Sequence, residues 1–306
     1  MNSLNTIQKF PHMPTNDFYG TGVAVVTPFK SDFSVDYDAL ANNINYLIDN
    51  GIKYLVALGT TAESPTITTA EKIKIFDCFT HVNNNRVPLV MGIGGNHTAA
   101  LEEALSTADV SGFQAILSVS PYYNRPSQEG IYRHYKALDA VTPLPIIVYN
   151  VPGRTASNIT AETTLRIAHD CKKIIGIKEA SGDLDQGAQI LAGRPKGFLV
   201  LSGDDETAIP LVQMGGEGVI SVIAGGFPKT FSSGIEAALR SDKDKASDVM
   251  EHIAPVIDLL FEEGNPAGIK AVLYQRGLIE NYLRLPLTPA SESLRKRLQT
   301  YTESLA

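Results

Sequence analysis

An α/β fold, a closed TIM or (β/α)8 barrel with an appended C-terminal helical subdomain, is what this sequence predicts. Three observations carry that expectation. Eight short apolar runs rich in Val and Ile recur along the chain, longer segments of helical spacing separate them, and the last stretch is helical without a further strand. Alternating runs of this kind are the pattern of repeated βα units around a parallel sheet. Strands buried on both faces, each followed by a helix, close into a barrel more naturally than they lie open, and the span to about residue 240 agrees with the roughly 250 residues typical of such barrels. An open doubly wound sheet is the structural alternative.

The runs are GTGVAVVTP from Gly20, KYLVALGT from Lys53, VPLVMGIGG from Val87, FQAILSVSP from Phe113, LPIIVYN from Leu144, KIIGIKEA from Lys173, FLVLSGD from Phe198 and GVISV from Gly218. Between the first two, DYDALANNINYLIDNG places Leu40, Ile44, Leu47 and Ile48 at helical spacing, and Gly51 stops the helix. Beyond about Asp242, VMEHIAPVIDLLFEEG and AGIKAVLYQRGLI are helical, with Pro286 and Pro289 punctuating the last helix pair. The chain therefore divides into a polar tail over 1–17, a barrel over 18–240 and a helical subdomain over 241–306.

Composition narrows the function. The 306 residues are 43% apolar and 19% charged, with a formal net charge of −7, an ordinary globular balance. No Lys/Arg-rich block offers a footprint for nucleic acid or an anionic membrane. No run approaches the roughly 18 apolar residues of a membrane span, and the N-terminal residues, with Pro11 and Pro14, lack the apolar core of a secretory signal. The expected compartment is the cytoplasm. The two cysteines, Cys78 and Cys171, are too far apart in sequence for a CxxC site and are expected to be reduced core residues.

In a barrel of this type the chemistry comes from the carboxyl ends of the strands. Those ends read GTTAES, SPYYNRP, YNVPGRT, IKEASGD and LSGDD, bringing hydroxyls, phenols, an arginine and one lysine to one mouth. Lys178 follows the buried run IIGI directly. Desolvation there disfavours the charged form and favours the nucleophilic amine that attacks carbonyls; an isolated lysine would sooner snorkel to solvent or pair with Glu179. Tyr149 ends the adjacent strand five, where its phenol can face the amine and exchange protons, although a strand tyrosine alone is commonly packing. Arg154 lies in a turn built by Pro152 and Gly153, where a guanidinium can grip a carboxylate bidentately. Thr60 and Thr61 stand in a turn whose successive N–H groups suit a small anion, or else cap a helix. The six histidines show no HxH or HExxH spacing, and neither a Walker motif, GxGxxG nor GxSxG occurs, so no metal, nicotinamide or flavin is assigned.

Taken in order and at their separations, GTTAES, SPYYNRPSQEG, YNVPGRT, GIKEASGD, LSGDD and GVISV resemble the dihydrodipicolinate synthase and N-acetylneuraminate lyase superfamily, class I pyruvate-dependent lyases, over nearly everything after Phe18. The resemblance implies that Lys178 forms the Schiff base, so that no cofactor is needed. It implies that Tyr149, Thr60 and Tyr123 relay protons, with Tyr123 lent to a neighbouring subunit. Thr61 and the backbone around it would hold the pyruvate carboxylate, and the backbone of Gly203 and Ile220 would line the pocket. Arg154 matches the arginine by which the synthases bind the carboxylate of aspartate semialdehyde, which neuraminate lyases generally lack, so the implied reaction is condensation of pyruvate with that aldehyde, in the diaminopimelate route to lysine. A homotetramer built from tight dimers is implied as well. The alternatives are a related pyruvate-dependent aldolase, neuraminate lyase-like or acting on a 2-keto-3-deoxy sugar acid, and a silent barrel serving as a sensor or scaffold.

Two departures carry expectations of their own. Ala62 stands where the family more often has Gly, and a methyl there could tighten the turn. Asn96 and Tyr122 match a lysine-feedback pocket, but Lys72 and Ala100 stand where lysine-sensitive enzymes often have His and Glu. A cation gained and a carboxylate missing would weaken binding of a lysine effector, so lysine inhibition is expected to be weak or absent.

Overall fold

The computed structural model describes residues 15–304; the tail over 1–17 therefore lies almost wholly outside the described residues. Eight strands follow the eight apolar runs: β1 (Gly20–Ala24), β2 (Tyr54–Ala57), β3 (Leu89–Gly92), β4 (Ala115–Val119), β5 (Ile146–Asn150), β6 (Ile174–Glu179), β7 (Leu199–Ser202) and β8 (Gly218–Ser221). Each pairs in parallel with its sequence neighbours, and β8 closes onto β1 through Gly20↔Gly218 and Gly22↔Ile220. The closed barrel excludes the open sheet.

The helices are α1 (Tyr37–Asp49), α2 (Thr69–Asn83), α3 (Thr98–Thr107), α4 (Gln128–Val141), α5 (Pro152–Thr155), α6 (Ala161–Asp170), α7 (Leu184–Gly193), α8 (Ala208–Gln213), α9 (Pro228–Leu239), α10 (Lys243–Glu262), α11 (Ala267–Gln275) and α12 (Glu292–Ser304). Their starts obey local chemistry. Asp36 caps α1 by accepting from Ala39 N, and Thr68 and Glu71 form a reciprocal capping box on α2. Gly51, at φ +86°, takes the left-handed position just beyond α1. That helix buries Leu40, Ile44 and Leu47, while Ile48 is only half-buried.

Two apolar layers hold the barrel. Inside it Phe18, Tyr54, Val56, Val90, Leu117, Ile147, Tyr149, Leu201 and Ile220 pack together; outside, the alternate strand residues meet the helices. This double burial is why the strands read as nearly continuous apolar runs rather than as an alternation. Tyr54 fills the interior with its hydroxyl donating to Val219 O at 3.0 Å and its ring edge-on to Phe18. Gly22 makes room for it, since a Cβ there would lie 2.1 Å from the Tyr54 ring. Cys171 is buried and Cys78 half-buried, and both are free thiols.

The C-terminal helices grip the mouth of the barrel. Asn265 Nδ2 donates to Thr61 Oγ1 at 3.0 Å, and Lys270 on α11 pairs with Glu63. Arg284 binds Glu71 with both terminal nitrogens and donates to the carbonyls of Phe33 and Thr66. Pro286 and Pro289 lie between α11 and α12, as their spacing predicts.

Candidate active site

Lys178 and Tyr149 stand side by side, because β5 and β6 pair in the register Tyr149↔Lys178. The Lys178 side chain is 4% exposed and Tyr149 is 6% exposed. The lysine Nζ lies 4.3 Å from the centroid of the Tyr149 ring. It does not reach bulk solvent, and it does not pair with Glu179, which turns to the outer face of the sheet and accepts instead from Asn150, Gln186 and Ser181.

Gly203 is pressed against the same side chain. A Cβ at this position would sit 2.7 Å from Lys178 Cε and 2.8 Å from Cγ, so the absence of a side chain lets the lysine lie where it does. The Gly203 N–H donates to Glu179 O at 2.7 Å. Ile220 is fully buried in the inner layer with Tyr149 and Leu201.

The turn after β2 is two short 3-10 turns, Thr60–Ala62 and Ser64–Thr66, rather than a direct helix start. Thr60 is half-buried and Thr61 is 2% exposed. Thr27 Oγ1 donates to Ala62 O at 2.8 Å and pins the turn from below. The left-handed residues after β2 are Leu58, at φ 54°, and Glu63, at φ 57°, and Ala62 is not among the residues of positive φ. The methyl of Ala62 is buried without backbone strain, so the expected tightening of the turn has no dihedral cause.

Arg154 sits on α5, a single helical turn that begins at Pro152 and Gly153, and its side chain is exposed. The end of that turn is tied down by Thr155 Oγ1, which donates to Ser157 O at 2.8 Å, and by Arg125 Nε, which donates to Ala156 O at 3.0 Å. Arg125 belongs to the β4–α4 loop, so the loops bearing Tyr123 and Arg154 are joined. Tyr123 itself is 88% exposed at φ 71°; its phenol lies in solvent on its own chain, apart from the buried Lys178 and Tyr149. Asn96 and Tyr122 are brought together, Asn96 Nδ2 donating to Tyr122 O at 3.0 Å. Lys72 is half-buried on α2 and Ala100 exposed on α3.

Several buried polar groups were not legible from motifs. Glu63 and Lys270 form an ion pair with both side chains fully buried, and desolvation holds the Lys270 ammonium down at about 8, partly opposed by Glu63. Asp205, just after β7, is buried and accepts from the N–H groups of Val222 and Ile223. Burial pushes its carboxyl up to about 6 against those hydrogen bonds. A lysine in the apolar run AGIKAVL was the one available signal for Lys270; nothing in the sequence distinguishes Asp205 from its neighbour Asp204.

A closed barrel with a buried amine beside a phenol at the carboxyl ends of its strands is the frame of a lyase that works through an imine. The chain belongs to the Dihydrodipicolinate synthetase family, whose residue pattern matches residues 17–305. The 4-hydroxy-tetrahydrodipicolinate synthase of Flavobacterium psychrophilum is 52% identical over 289 residues, 94% of this chain and 99% of that enzyme. Among solved structures, the chloride-inhibited dihydrodipicolinate synthase of Acinetobacter baumannii in complex with pyruvate superposes with a TM-score of 0.91 at 38% identity, covering 94% of this chain and 98% of that one. The enzyme from Cyanidioschyzon merolae with lysine bound gives 0.90 at 33% identity, with 94% and 98% covered. Among the described residues, no helix is long and apolar enough to cross a membrane.

Proposed function

We propose that this chain acts as a 4-hydroxy-tetrahydrodipicolinate synthase, condensing pyruvate with L-aspartate 4-semialdehyde at Lys178. The observation that carries the reading is the Lys178 amine, buried and 4.3 Å over the ring of Tyr149 at the carboxyl end of the barrel. The amine attacks the pyruvate carbonyl and loses water to give an imine. The imine withdraws electrons from the adjacent methyl, which loses a proton to form an enamine. The enamine carbon bonds to the aldehyde carbon, and attack by the substrate's own amine then closes the ring and releases Lys178. The protonated imine is the electron sink, so the chemistry calls for no cofactor.

Tyr149 and Thr60 relay the protons, completed by Tyr123 of a neighbouring subunit. The 88% exposure of Tyr123 supports a role outside its own chain. Thr61 and the N–H groups of its turn hold the pyruvate carboxylate; its Oγ1 accepts from Asn265, which leaves the Thr61 proton free to be donated. Gly203 and Ile220 line the pocket. Arg154 takes the carboxylate of the aldehyde, and its exposed position on α5 favours this substrate over a neutral sugar-derived chain. The assembly is a homotetramer of tight dimers, working in the cytoplasm.

The test is borohydride reduction in the presence of pyruvate, followed by intact-mass and peptide analysis. The expected adduct lies on Lys178 and is absent from Lys178→Ala; an unchanged mass in the unmodified enzyme overturns the reading. Arg154→Ala should lower kcat/KM for aspartate semialdehyde by about tenfold or more while the pyruvate adduct still forms.

A further inference from the structure

On the outer face of the barrel, one residue beyond the Tyr149 and Lys178 pair, β5 and β6 bring Asn150 and Glu179 into register. Alternation along a strand sends these side chains away from the barrel interior. Asn150 is fully buried and Glu179 is 4% exposed. Asn150 Nδ2 donates to both Glu179 oxygens, at 3.1 and 3.0 Å. Ser181 N donates to Glu179 Oε1 at 2.8 Å, and Gln186 Nε2, from α7, to Oε2 at 2.9 Å. These donors are all neutral amides, so the carboxylate is held without an ion pair from any of them.

The same residues close the neck of the segment that carries Arg154. Asn150 stands immediately before it; Asn150 Oδ1 accepts from Ile159 N at 2.9 Å, and Asn150 Nδ2 donates to Asn158 Oδ1 at 2.8 Å. Asn158 Nδ2 donates in turn to Gln186 Oε1 at 2.8 Å. Both ends of the 151–158 segment are thereby tied to one buried carboxylate, with Arg154 at the exposed turn between them.

We propose that Glu179 is a positioning residue for the aldehyde, fixing the Arg154 loop through Asn150, Asn158 and Gln186 rather than touching substrate. The geometry requires a group that only accepts. Both oxygens face donors, so a glutamine in either orientation turns its NH2 toward N–H groups, breaks the clasp on one side and frees the neck of the loop. Lys178, held on the inner face by strand pairing, keeps its place. This proposal rests on Arg154 being the carboxylate-binding residue.

The experiment is steady-state kinetics and pyruvate–borohydride trapping on Glu179→Gln, Arg154→Ala and the double variant. In folded Glu179→Gln, KM for aspartate semialdehyde should rise about tenfold with kcat within about threefold, and the pyruvate adduct should form as in the unmodified enzyme. In the Arg154→Ala background the same change should add less than about twofold, because the residue it positions is gone. A full-sized rise in that background, an unchanged KM in Glu179→Gln, or loss of the adduct in the folded variant would each overturn the proposal. If Glu179→Gln does not fold, Asn158→Ala at its exposed position carries the test: KM should rise about threefold or more with kcat nearly constant, and an unchanged KM counts against the link. An Arg154→Ala enzyme with unaltered kcat/KM for aspartate semialdehyde would sink the role of Arg154 itself, and this proposal with it.

Discussion

Lys270 and Glu63 meet as an ion pair with neither side chain exposed to solvent, joining the C-terminal helix α11 to the turn after β2 that carries Thr60 and Thr61. The pair is completed by Lys270 Nζ donating to Tyr282 O at 2.9 Å and by Arg284 N donating to Glu63 Oε2 at 3.0 Å. The appended helices are thus part of the support of the mouth.

Removing one member strands the other. Lys270→Ala is expected to destabilise the fold by about 3–5 kcal/mol, the usual cost of an uncompensated buried charge, whereas Glu63→Leu with Lys270→Met should cost markedly less. Urea unfolding of the three proteins checks this; equal losses for single and double variants would contradict it.

Gly203→Ala should cost both activity and stability. The added Cβ would lie 2.6 Å from Ala180 Cβ, 2.7 Å from Lys178 Cε and 2.8 Å from Lys178 Cγ; the lysine can swing aside, but Ala180 has no rotamer to adopt, so backbone must shift as well. The expected outcome is a loss of kcat of about tenfold to a hundredfold, as for an angstrom-scale misplacement of a reacting group. The thermal midpoint should fall as well, because the overlap with Ala180 is relieved only by a backbone shift, and the rate of imine trapping with pyruvate reads the displacement of Lys178 directly.

Two buried groups make opposite contributions to stability in acid. Asp205 binds its proton more tightly folded, at about 6, above the ordinary aspartate range, so its contribution is fully present below the unfolded value and is lost as pH rises through about 6. The amount is about 3 kcal/mol. Asp205→Asn should therefore flatten that fall.

His134 behaves in the reverse sense. It is 3% exposed, its Nδ1 lies 2.9 Å from Thr98 Oγ1, and burial holds its imidazole down at about 4, below an ordinary histidine near 6.5. Its contribution, again about 3 kcal/mol, is present above about 6.5 and is lost as pH falls through about 4. Denaturant titrations of His134→Phe beside the unmodified protein should show a shallower loss of stability between those values in the variant. An unaltered slope would count against the assignment.

Lysine should inhibit weakly or not at all. Asn96 and Tyr122 are in contact, but a cationic Lys72 and the apolar Ala100 supply no counter-charge for a lysine ammonium. Steady-state inhibition in the micromolar range would refute this, and Lys72→His with Ala100→Glu should strengthen whatever inhibition exists.

The sequence by itself determined the eight strands, the helical C-terminal segment and the site candidates at strand ends, while closure of the barrel rested on the pairing of β8 with β1. Local periodicity and strand-end chemistry are written into neighbouring residues, so runs such as KIIGIKEA and LPIIVYN announce both a buried strand and the group at its tip. Register is a different matter. Only pairing of β5 with β6 decides that Tyr149 stands beside Lys178 and Asn150 beside Glu179. Tertiary packing alone decides that Lys270 and Arg284, more than 200 residues downstream, close on Glu63 and Glu71, because a buried charge selects its partner by proximity in space and leaves no periodic trace in the chain.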